Sequence, residues 1–193
     1  MNNHRIEWDE YFMSIAVLAS CRSPCSRLHV GSVVVKDKRI VAMGYNGFLP
    51  GCKHESHIRD GHEQATVHSE MNSITDCAKR GISMDKSIIY ITHYPCLNCF
   101  KALCASGITE IVYLNDYNND PLIQKIANEI GVNIRQQYPS DVKKDNSNGS
   151  TGASAKGTSF PTVDSLKGIE DSRLGASASG RMTNEYSLDE YGM

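Results

Sequence analysis

The sequence predicts an α/β fold of three layers, in which a mixed five-stranded sheet lies between helices. Two observations support this fold class. A β-hairpin pattern follows the first helix pattern, and three pairs of a helix and then a strand follow the hairpin. A hairpin is antiparallel and helix crossovers join parallel strands, so the two together require a mixed sheet. We expect one domain over residues 1–139, an ordinary size for a chain with a single core.

The first elements are a helix and the hairpin. Residues 10–20 carry apolar side chains at helical spacing, and Asp9 is the expected N-cap. β-Branched residues fill 31–36, and a turn at 37–38 leads to a second strand over 39–44. A loop rich in Gly, His and Cys then continues to about residue 64.

Three helix–strand pairs complete the predicted domain, and Gly81 and Gly131 stand where helix C-caps are expected. The predicted helices cover 66 or 67–80, 96–106 and 121–130. The predicted strands cover 87–92, 110–114 and 132–135. Met71, Ile74 and Ala78 are expected to face the core from the first of these helices.

The composition changes near residue 139. Residues 140–193 are rich in Ser and Gly with scattered single hydrophobic residues. Such a segment buries too little apolar area to offset the entropy of ordering it. We expect a disordered tail there.

Bulk properties exclude several classes of protein. A net charge of −2 and a pI near 6.4 argue against a polynucleotide-binding protein. No segment approaches the roughly 20 apolar residues of a membrane span, and the first residues lack the apolar region of a signal peptide. We expect a cytoplasmic protein without membrane or polynucleotide partners. Its seven cysteines then indicate thiols or metal ligands rather than disulfides.

Two short motifs indicate a metal site. Cys96 and Cys99 follow Pro95 at a predicted strand-to-helix junction, and His68 stands near the start of another predicted helix. A helix N-terminus favours the thiolate that binds zinc. Neighbouring helices in parallel β-α-β packing begin at one sheet edge, so the three side chains can meet. Three protein ligands leave a fourth zinc position open, as in catalytic sites.

Glu70 adds a proton shuttle beside this predicted site. It lies two residues after His68 and can reach the open position. A lone C-x-x-C is more often a redox pair or half of a structural zinc site, and a lone H-x-E means little. Together they match the H-x-E and P-C-x-x-C signature of zinc nucleobase deaminases.

The chain resembles the cytidine and deoxycytidylate deaminase superfamily from about residue 8 to 137, and within it the deoxycytidylate (dCMP) deaminases. The resemblance rests on the two motifs above and on three shorter elements. These are E-Y-F-M at 10–13, V-G at 30–31 and G-Y-N-G at 44–47. It implies a cytidine-deaminase-like fold and hydrolytic deamination of dCMP to dUMP and ammonia by a zinc-bound hydroxide, supplying dUMP for thymidylate synthesis.

Residue roles follow from the resemblance. It implies His68, Cys96 and Cys99 as zinc ligands and Glu70 as the proton shuttle. In the same way, Asn46 contacts the deoxyribose, Tyr117 contacts the substrate and Arg22 lies near the phosphate. From the residues alone, G-Y-N-G is equally a turn at the end of the hairpin. Ser69 and Ser73 stand where Ala is usual in the family, and we expect a mild effect.

Assembly, regulation and a second metal are also implied. Relatives are typically homohexamers that dCTP activates and that dTTP inhibits together with Mg²⁺. Phage and bacterial relatives often hold a structural zinc, for which the donors here are Cys25, Cys52, His54 and His62, with His57 nearby. Glu55 and Glu63 stand where some relatives have Cys, so the alternative is a set of solvent-exposed histidines.

Two other functions are compatible with the sequence. The first is a deaminase of the same fold that acts on tRNA adenosine, free cytidine or guanine. Free cytidine deaminases usually have Cys where this chain has His68, and the absence of a basic bias argues against tRNA. The second is a zinc module without enzymatic activity, whose tail recruits partners.

Overall fold

Residues 5–137 are the part of the chain that this computed structural model describes, and they form four helices and nine strands. The helices are α1 (Trp8–Ser20), α2 (Ser69–Arg80), α3 (Leu97–Ala105) and α4 (Pro121–Ile130). The strands are β1 (Gly31–Lys36), β2 (Arg39–Tyr45), β3 (Gly47–Phe48), β4 (Ile58–Arg59), β5 (His62–Glu63), β6 (Thr66–Val67), β7 (Ser87–His93), β8 (Ile108–Asn115) and β9 (Asn133–Gln136). The predicted tail, 140–193, lies outside the described residues. No helix within 5–137 is long and apolar enough to cross a membrane.

The central sheet is mixed and five-stranded, as predicted. Its strand order is β2-β1-β7-β8-β9. β1 pairs antiparallel with both β2 and β7, whereas β7, β8 and β9 run parallel. The antiparallel half is the predicted hairpin, and the parallel half comes from the helix crossovers.

The core has two parts because successive side chains of a strand point to opposite faces of the sheet. Val33 and Val35 of β1 pack with Phe12 and Met13 of α1. Val34 points the other way, into a cluster with side chains from the other three helices. These partners include Cys77, Phe100, Leu103, Ile123 and Ala127. One helix therefore covers one face and three helices cover the other, which confirms the three-layer arrangement.

Helix α2 packs closely on the hairpin because Gly44 has no side chain. A Cβ added at Gly44 would lie 2.2 Å from the backbone oxygen of Ser69 and 2.6 Å from Ser73 Oγ. Ser69, Ser73 and Cys77 form the buried face of α2. This close contact fixes the start of α2, where the predicted ligand and shuttle residues lie.

The buried face of α2 differs from the predicted one. Met71 and Ile74 are only half-buried and Ala78 is exposed. The prediction followed the larger apolar side chains, but the contact with β2 admits only small ones. Ser73 Oγ lies 2.9 Å from Ser32 Oγ across this contact, so the buried hydroxyl is satisfied.

The start of α1 also differs from the prediction. The helix begins at Trp8 with Glu7 as its N-cap residue. Asp9 does not cap the helix: it accepts a hydrogen bond from Tyr90 Oη at 2.8 Å and pairs with Arg135 at 2.8 Å. Its carboxylate therefore joins α1 to β7 and β9 instead of satisfying the helix end.

Two small strand pairs, which were not predicted, occupy parts of the predicted loop and the predicted start of the second helix. β3 pairs with β6, which delays the start of α2 to Ser69. β4 pairs with β5 around a turn at Asp60 and Gly61, both of which have positive φ. A two-residue turn of this kind joins antiparallel strands with the correct twist.

Candidate active site

Helix starts bring the three predicted metal ligands together. His68 is the N-cap residue of α2, Cys96 is the N-cap of α3, and Cys99 lies in the first turn of α3. His68 Nδ1 is 3.4 Å from Cys99 Sγ and 3.7 Å from Cys96 Sγ. The three ligand atoms lie within 4.8 Å of one another. Within residues 5–137, no other group of three or more His, Cys, Asp or Glu side chains has the same property.

The spacing of these atoms fits a zinc ion. Zinc bonds of ~2.0–2.1 Å to nitrogen and ~2.3 Å to sulfur, set at the tetrahedral angle, separate the two ligand atoms by ~3.5 Å. The two nitrogen–sulfur distances, 3.4 and 3.7 Å, lie on either side of this value. One imidazole and two thiols are also the donors that zinc prefers. The residues present therefore fit a zinc ion with one open coordination position.

Hydrogen bonds differentiate the two thiols. The pKa of Cys96 is lowered to about 4, first because its sulfur accepts a hydrogen bond from the Cys99 thiol and then because His68 and the Cys99 N–H also donate to it. The pKa of Cys99 is raised by donating that bond and by burial. At neutral pH the pair thus holds one thiolate and one thiol, and binding of zinc would release the remaining proton.

Glu70 is the buried acid of the site, with a side chain only 4% exposed. Burial raises the pKa of this carboxyl above its ordinary value, although Ser69 Oγ donates a hydrogen bond to Glu70 Oε2 at 2.9 Å. The interaction of the carboxylate with Cys99 also raises the pKa of that thiol. A carboxyl group with a raised pKa is a stronger base than a solvated one, which suits it to general acid–base catalysis.

A cavity of about 150 Å³ opens beside this group. Its described lining includes the ligand His68, the acid Glu70 and residues from three loops. Among the lining residues are Arg27, Asn46, His62, Glu63, His93 and Tyr117. Asn46 and Tyr117 were predicted substrate contacts, and the structure brings both to the cavity. Arg22 is exposed at the end of α1 and is not among the lining residues.

Asn46 uses most of its hydrogen-bonding capacity to hold the loop before β1. Its Oδ1 accepts from Val30 N at 2.8 Å and from Ser23 Oγ at 2.7 Å. Its Nδ2 donates to the backbone oxygen of Leu28 at 2.7 Å. Since an amide nitrogen has two hydrogens, one donor remains for a ligand in the cavity. The Asn46 side chain thus stabilises this loop and is also a candidate contact for a ligand in the cavity.

The loop after β8 presents Tyr117 to the cavity. Tyr117 N donates to Asn119 Oδ1 at 2.9 Å, and Asn119 Nδ2 donates to Asp116 Oδ1 at 2.6 Å. The ring meets His93 edge to face, with centroids 6.2 Å apart. Burial lowers the pKa of His93, so its imidazole is neutral at physiological pH.

The four residues predicted for a second zinc do not come together in the structure. Cys25 is buried and lines the cavity with His62, whereas Cys52 is exposed. His54 stacks on Phe48 with ring centroids 4.9 Å apart. The second metal stays a prediction from the resemblance alone.

Glu63 organises the loop in which this second metal was expected. Its Oε1 accepts from His57 N at 3.0 Å and from Ala65 N at 2.8 Å, and Ser56 Oγ donates to Oε2. The hydrogen bond from Ser56 and then those from the backbone lower the pKa of Glu63 to about 2. A single carboxylate thereby joins the two ends of the β4–β5 hairpin.

Arg27 and Glu63 were missed because their roles depend on contacts distant in sequence. Arg27 lies four residues before Gly31, inside the same short segment as Arg22, and spacing alone does not distinguish the two. The resemblance gave a signal at Glu63, because it implies Cys at this position in some relatives, but the hydrogen-bond partners of Glu63 follow only from the hairpin.

Known proteins resemble this chain in both sequence and structure. Residues 6–115 match the model of the cytidine and deoxycytidylate deaminase zinc-binding region. The ComE operon protein 2 of Bacillus subtilis is 42% identical over 136 residues, which cover 68% of this chain and 72% of that protein. The deoxycytidylate deaminase of Saccharomyces cerevisiae is 32% identical over 142 residues, covering 68% of this chain and 45% of the yeast protein.

A solved structure has the same fold. The dCMP deaminase of the cyanophage S-TIM5, crystallised with dCMP and dUMP, is 31% identical and superposes with a TM-score of 0.62. The match covers 70% of this chain and 100% of the phage chain. The family model matches more than half of the chain, and the structure brings together the His, Cys and Cys side chains of a zinc-binding site. The chain therefore belongs to the cytidine and deoxycytidylate deaminase zinc-binding family.

Proposed function

We propose that this chain hydrolyses dCMP to dUMP and ammonia. The observation that carries the proposal is one shared cavity. The cavity is lined by His68, Glu70 and Cys96 together with Arg27 and Tyr117. Side chains that can bind a metal, a buried acid and a cation therefore border the same small volume. Deoxycytidylate deaminases among the relatives, and the phage structure with dCMP and dUMP, support this substrate.

His68 Nδ1 and the sulfur atoms of Cys96 and Cys99 would hold the zinc ion. Zinc with an open position supplies the Lewis acidity that makes water a strong nucleophile at neutral pH. The thiolate of Cys96 favours binding of a cation. Because the three donors are sulfur and imidazole nitrogen rather than oxygen, the site selects zinc over magnesium.

Glu70 moves the protons of the reaction. Its carboxylate accepts a proton from the attacking water as the water oxygen bonds to C4 of cytosine, and it passes that proton to N3 of the ring. It then takes the second proton of that oxygen and delivers it to the amino group, which leaves as ammonia when the C4–N bond breaks. Water and dCMP are consumed, and dUMP and ammonia are formed.

Burial of Glu70 suits it to this double role. A solvated carboxylate is a weak base, so it would accept the proton of the attacking water less readily at neutral pH. Burial raises the pKa of Glu70, and the Ser69 hydroxyl keeps the carboxylate in one orientation. The side chain therefore has a defined orientation and a higher proton affinity than a solvated carboxylate.

A substrate panel tests the proposal. Zinc-loaded protein is assayed with dCMP, deoxycytidine, cytidine and a tRNA anticodon stem. We expect kcat/KM for dCMP to exceed that for each of the others by at least about tenfold. Activity on the RNA alone would identify an RNA deaminase of the same fold, and activity on none would leave a zinc module without this chemistry.

Hexameric assembly and control by dCTP, or by dTTP with Mg²⁺, remain predictions from the resemblance. Sedimentation of the full chain tests the assembly, and dCMP saturation curves measured with and without these nucleotides test the regulation. A single hexameric species whose dCMP saturation curve responds to dCTP is the expected result.

A further inference from the structure

We infer that His93 is a further substrate-contacting residue, whose Nε2–H donates a hydrogen bond to an uncharged oxygen of the nucleoside part of the substrate. Such an oxygen belongs to a sugar hydroxyl or to the carbonyl of the base. The inference rests on the proposed function, because it concerns the same cavity. His93 is the last residue of β7, and it lines the cavity together with Glu70.

A chain of hydrogen bonds determines the tautomer of His93. Gly31 N donates to Thr92 Oγ1 at 3.1 Å, and Thr92 Oγ1 lies 3.0 Å from His93 Nδ1. Thr92 is buried, so its hydroxyl hydrogen needs an acceptor, and among the described residues His93 Nδ1 is the acceptor available to it. Nδ1 is therefore the unprotonated nitrogen, and the neutral ring has its proton on Nε2.

The ring also has a defined position. Asn115 Nδ2 donates to the backbone oxygen of Thr92 at 2.9 Å, and Asn115 pairs with His93 in the parallel register of β7 and β8. On the cavity side, the Tyr117 ring meets the His93 ring edge to face, with centroids 6.2 Å apart. Because the strand and the ring are held separately, the Nε2–H needs little reorganisation to receive a ligand atom, which favours affinity.

The Nε2–H of His93 is available to a ligand. Within residues 5–137, the hydrogen bonds of this ring use Nδ1 and leave Nε2 without a protein partner. Ser87 Oγ is the one fully buried side-chain N or O atom of the described residues that lacks a partner. His93 Nε2 is therefore accessible, and the surface that the side chain borders is the cavity.

The charge of the ring favours an uncharged acceptor. Burial lowers the pKa of His93, so the ring donates one hydrogen bond and adds no positive charge to the cavity. A phosphate against the ring would instead stabilise the imidazolium, which burial opposes. A sugar or base oxygen accepts the same hydrogen bond without requiring that charge.

Nitrogen-15 NMR of zinc-loaded protein measures the tautomer directly. We expect His93 to show a protonated Nε2 and an unprotonated Nδ1. Thr92→Val removes the hydroxyl that donates to Nδ1, so the ring should populate both tautomers, and Thr92→Ser should restore the Nε2–H form. A proton on Nδ1 in the wild type would overturn the inference.

Kinetics with dCMP measure the value of the contact. His93→Phe keeps an aromatic ring and removes the donor, and we expect kcat/KM to fall by about tenfold, chiefly through a higher KM. His93→Gln retains an N–H donor on its side chain and should recover part of this loss. His29→Phe, at a half-buried histidine outside the cavity lining, is the matched control. A loss below about twofold in His93→Phe, or an equal loss in the control, would overturn the inference.

A substrate without the 3′-hydroxyl distinguishes the two kinds of acceptor. If dideoxycytidine monophosphate is as sensitive to His93→Phe as dCMP is, the contact is with the base carbonyl. A smaller loss for the dideoxy compound assigns the contact to the sugar hydroxyl. Either result supports a contact with the nucleoside.

Ligand titration provides a readout that does not need turnover. Deoxyuridine, the uncharged part of the proposed product, should shift the His93 Nε2–H resonance and slow its exchange with solvent, whereas inorganic phosphate should do neither. A response to phosphate alone, or to neither compound, would overturn the inference. If deoxyuridine gives the response but the wild type does not deaminate dCMP, the inference stands and the proposed function fails.

Discussion

Ser69 Oγ donates a hydrogen bond of 2.9 Å to Glu70 Oε2, so the residue between the metal ligand and the acid orients the acid. Both side chains are buried. The Ser69 hydroxyl is thus a donor to the carboxylate that an alanine at this position would lack.

Ser69→Ala removes that donor. A hydrogen bond to a charged group contributes about 1.5–3 kcal/mol, and we expect kcat for dCMP to fall by about tenfold while KM stays within about twofold. Ser73→Ala is the matched control, because Ser73 is buried on the same face of α2 but contacts Ser32 rather than Glu70. Equal changes of kcat in the two variants would contradict a role of Ser69 in orienting Glu70.

The zinc content of the protein tests both the site formed by His68, Cys96 and Cys99 and the second zinc site that the resemblance implies. One zinc per chain is the result expected from the group of described ligands that converges, and a second zinc is the result that the resemblance implies. Cys96→Ala should lose the zinc of the converging group, whereas Cys52→Ala should retain it. Elemental analysis after dialysis measures both. Two zinc ions per wild-type chain would support the second site, and none would contradict a zinc-dependent reaction.

Removal of the metal should affect stability as well as activity. An ion that binds the folded chain and not the unfolded chain raises the melting temperature by mass action. Chelation is therefore expected to abolish deamination and to lower Tm, and added zinc should restore both. A chelated protein with full activity would exclude a zinc-dependent reaction.

The contribution of Glu63 should depend on pH. Its pKa is lowered from 4.5 to about 2, so its carboxylate stabilises the folded loop above about pH 4.5. This contribution is lost as the pH falls from 4.5 toward 2. The difference in urea midpoint between the wild type and Glu63→Gln is expected to be largest above pH 5 and to vanish near pH 2. Glu55→Gln, in the same loop and exposed, should show no such difference.

Gly44→Ala tests the contact that fixes the start of α2. The added Cβ would lie 2.2 Å from the Ser69 backbone oxygen, so the helix must move. We expect a loss of about 1–3 kcal/mol in the free energy of unfolding and a fall in kcat, since Glu70 moves with the helix. Gly131→Ala, with φ of 72° and no atom within 4 Å of the added Cβ, should cost stability alone.

The sequence was sufficient for the sheet and the metal group because both depend on local patterns. The hairpin follows from alternating β-branched residues, and the ligands follow from motifs at helix starts. The motif H-x-E also located Glu70. Two residues at the start of a helix have a fixed separation, so the position of His68 determines that of Glu70. These features need no knowledge of distant partners.

Features that depend on distant partners were not predictable in this way. Asp9 resembles a helix cap in sequence, but Tyr90 and Arg135 bind it across the sheet. Arg27 rather than Arg22 reaches the cavity because Tyr117, 90 residues later, binds its guanidinium. In both cases the residue type was visible and its partner was not.

The most direct test of the central claim is the effect of Glu70→Gln on dUMP formation from dCMP by zinc-loaded protein. The substitution keeps the size of the side chain and removes its ability to carry a proton. We expect kcat to fall by about 10²- to 10⁴-fold, with the zinc content unchanged at that of the wild type. Undiminished dUMP formation by a zinc-loaded Glu70→Gln protein would contradict the account.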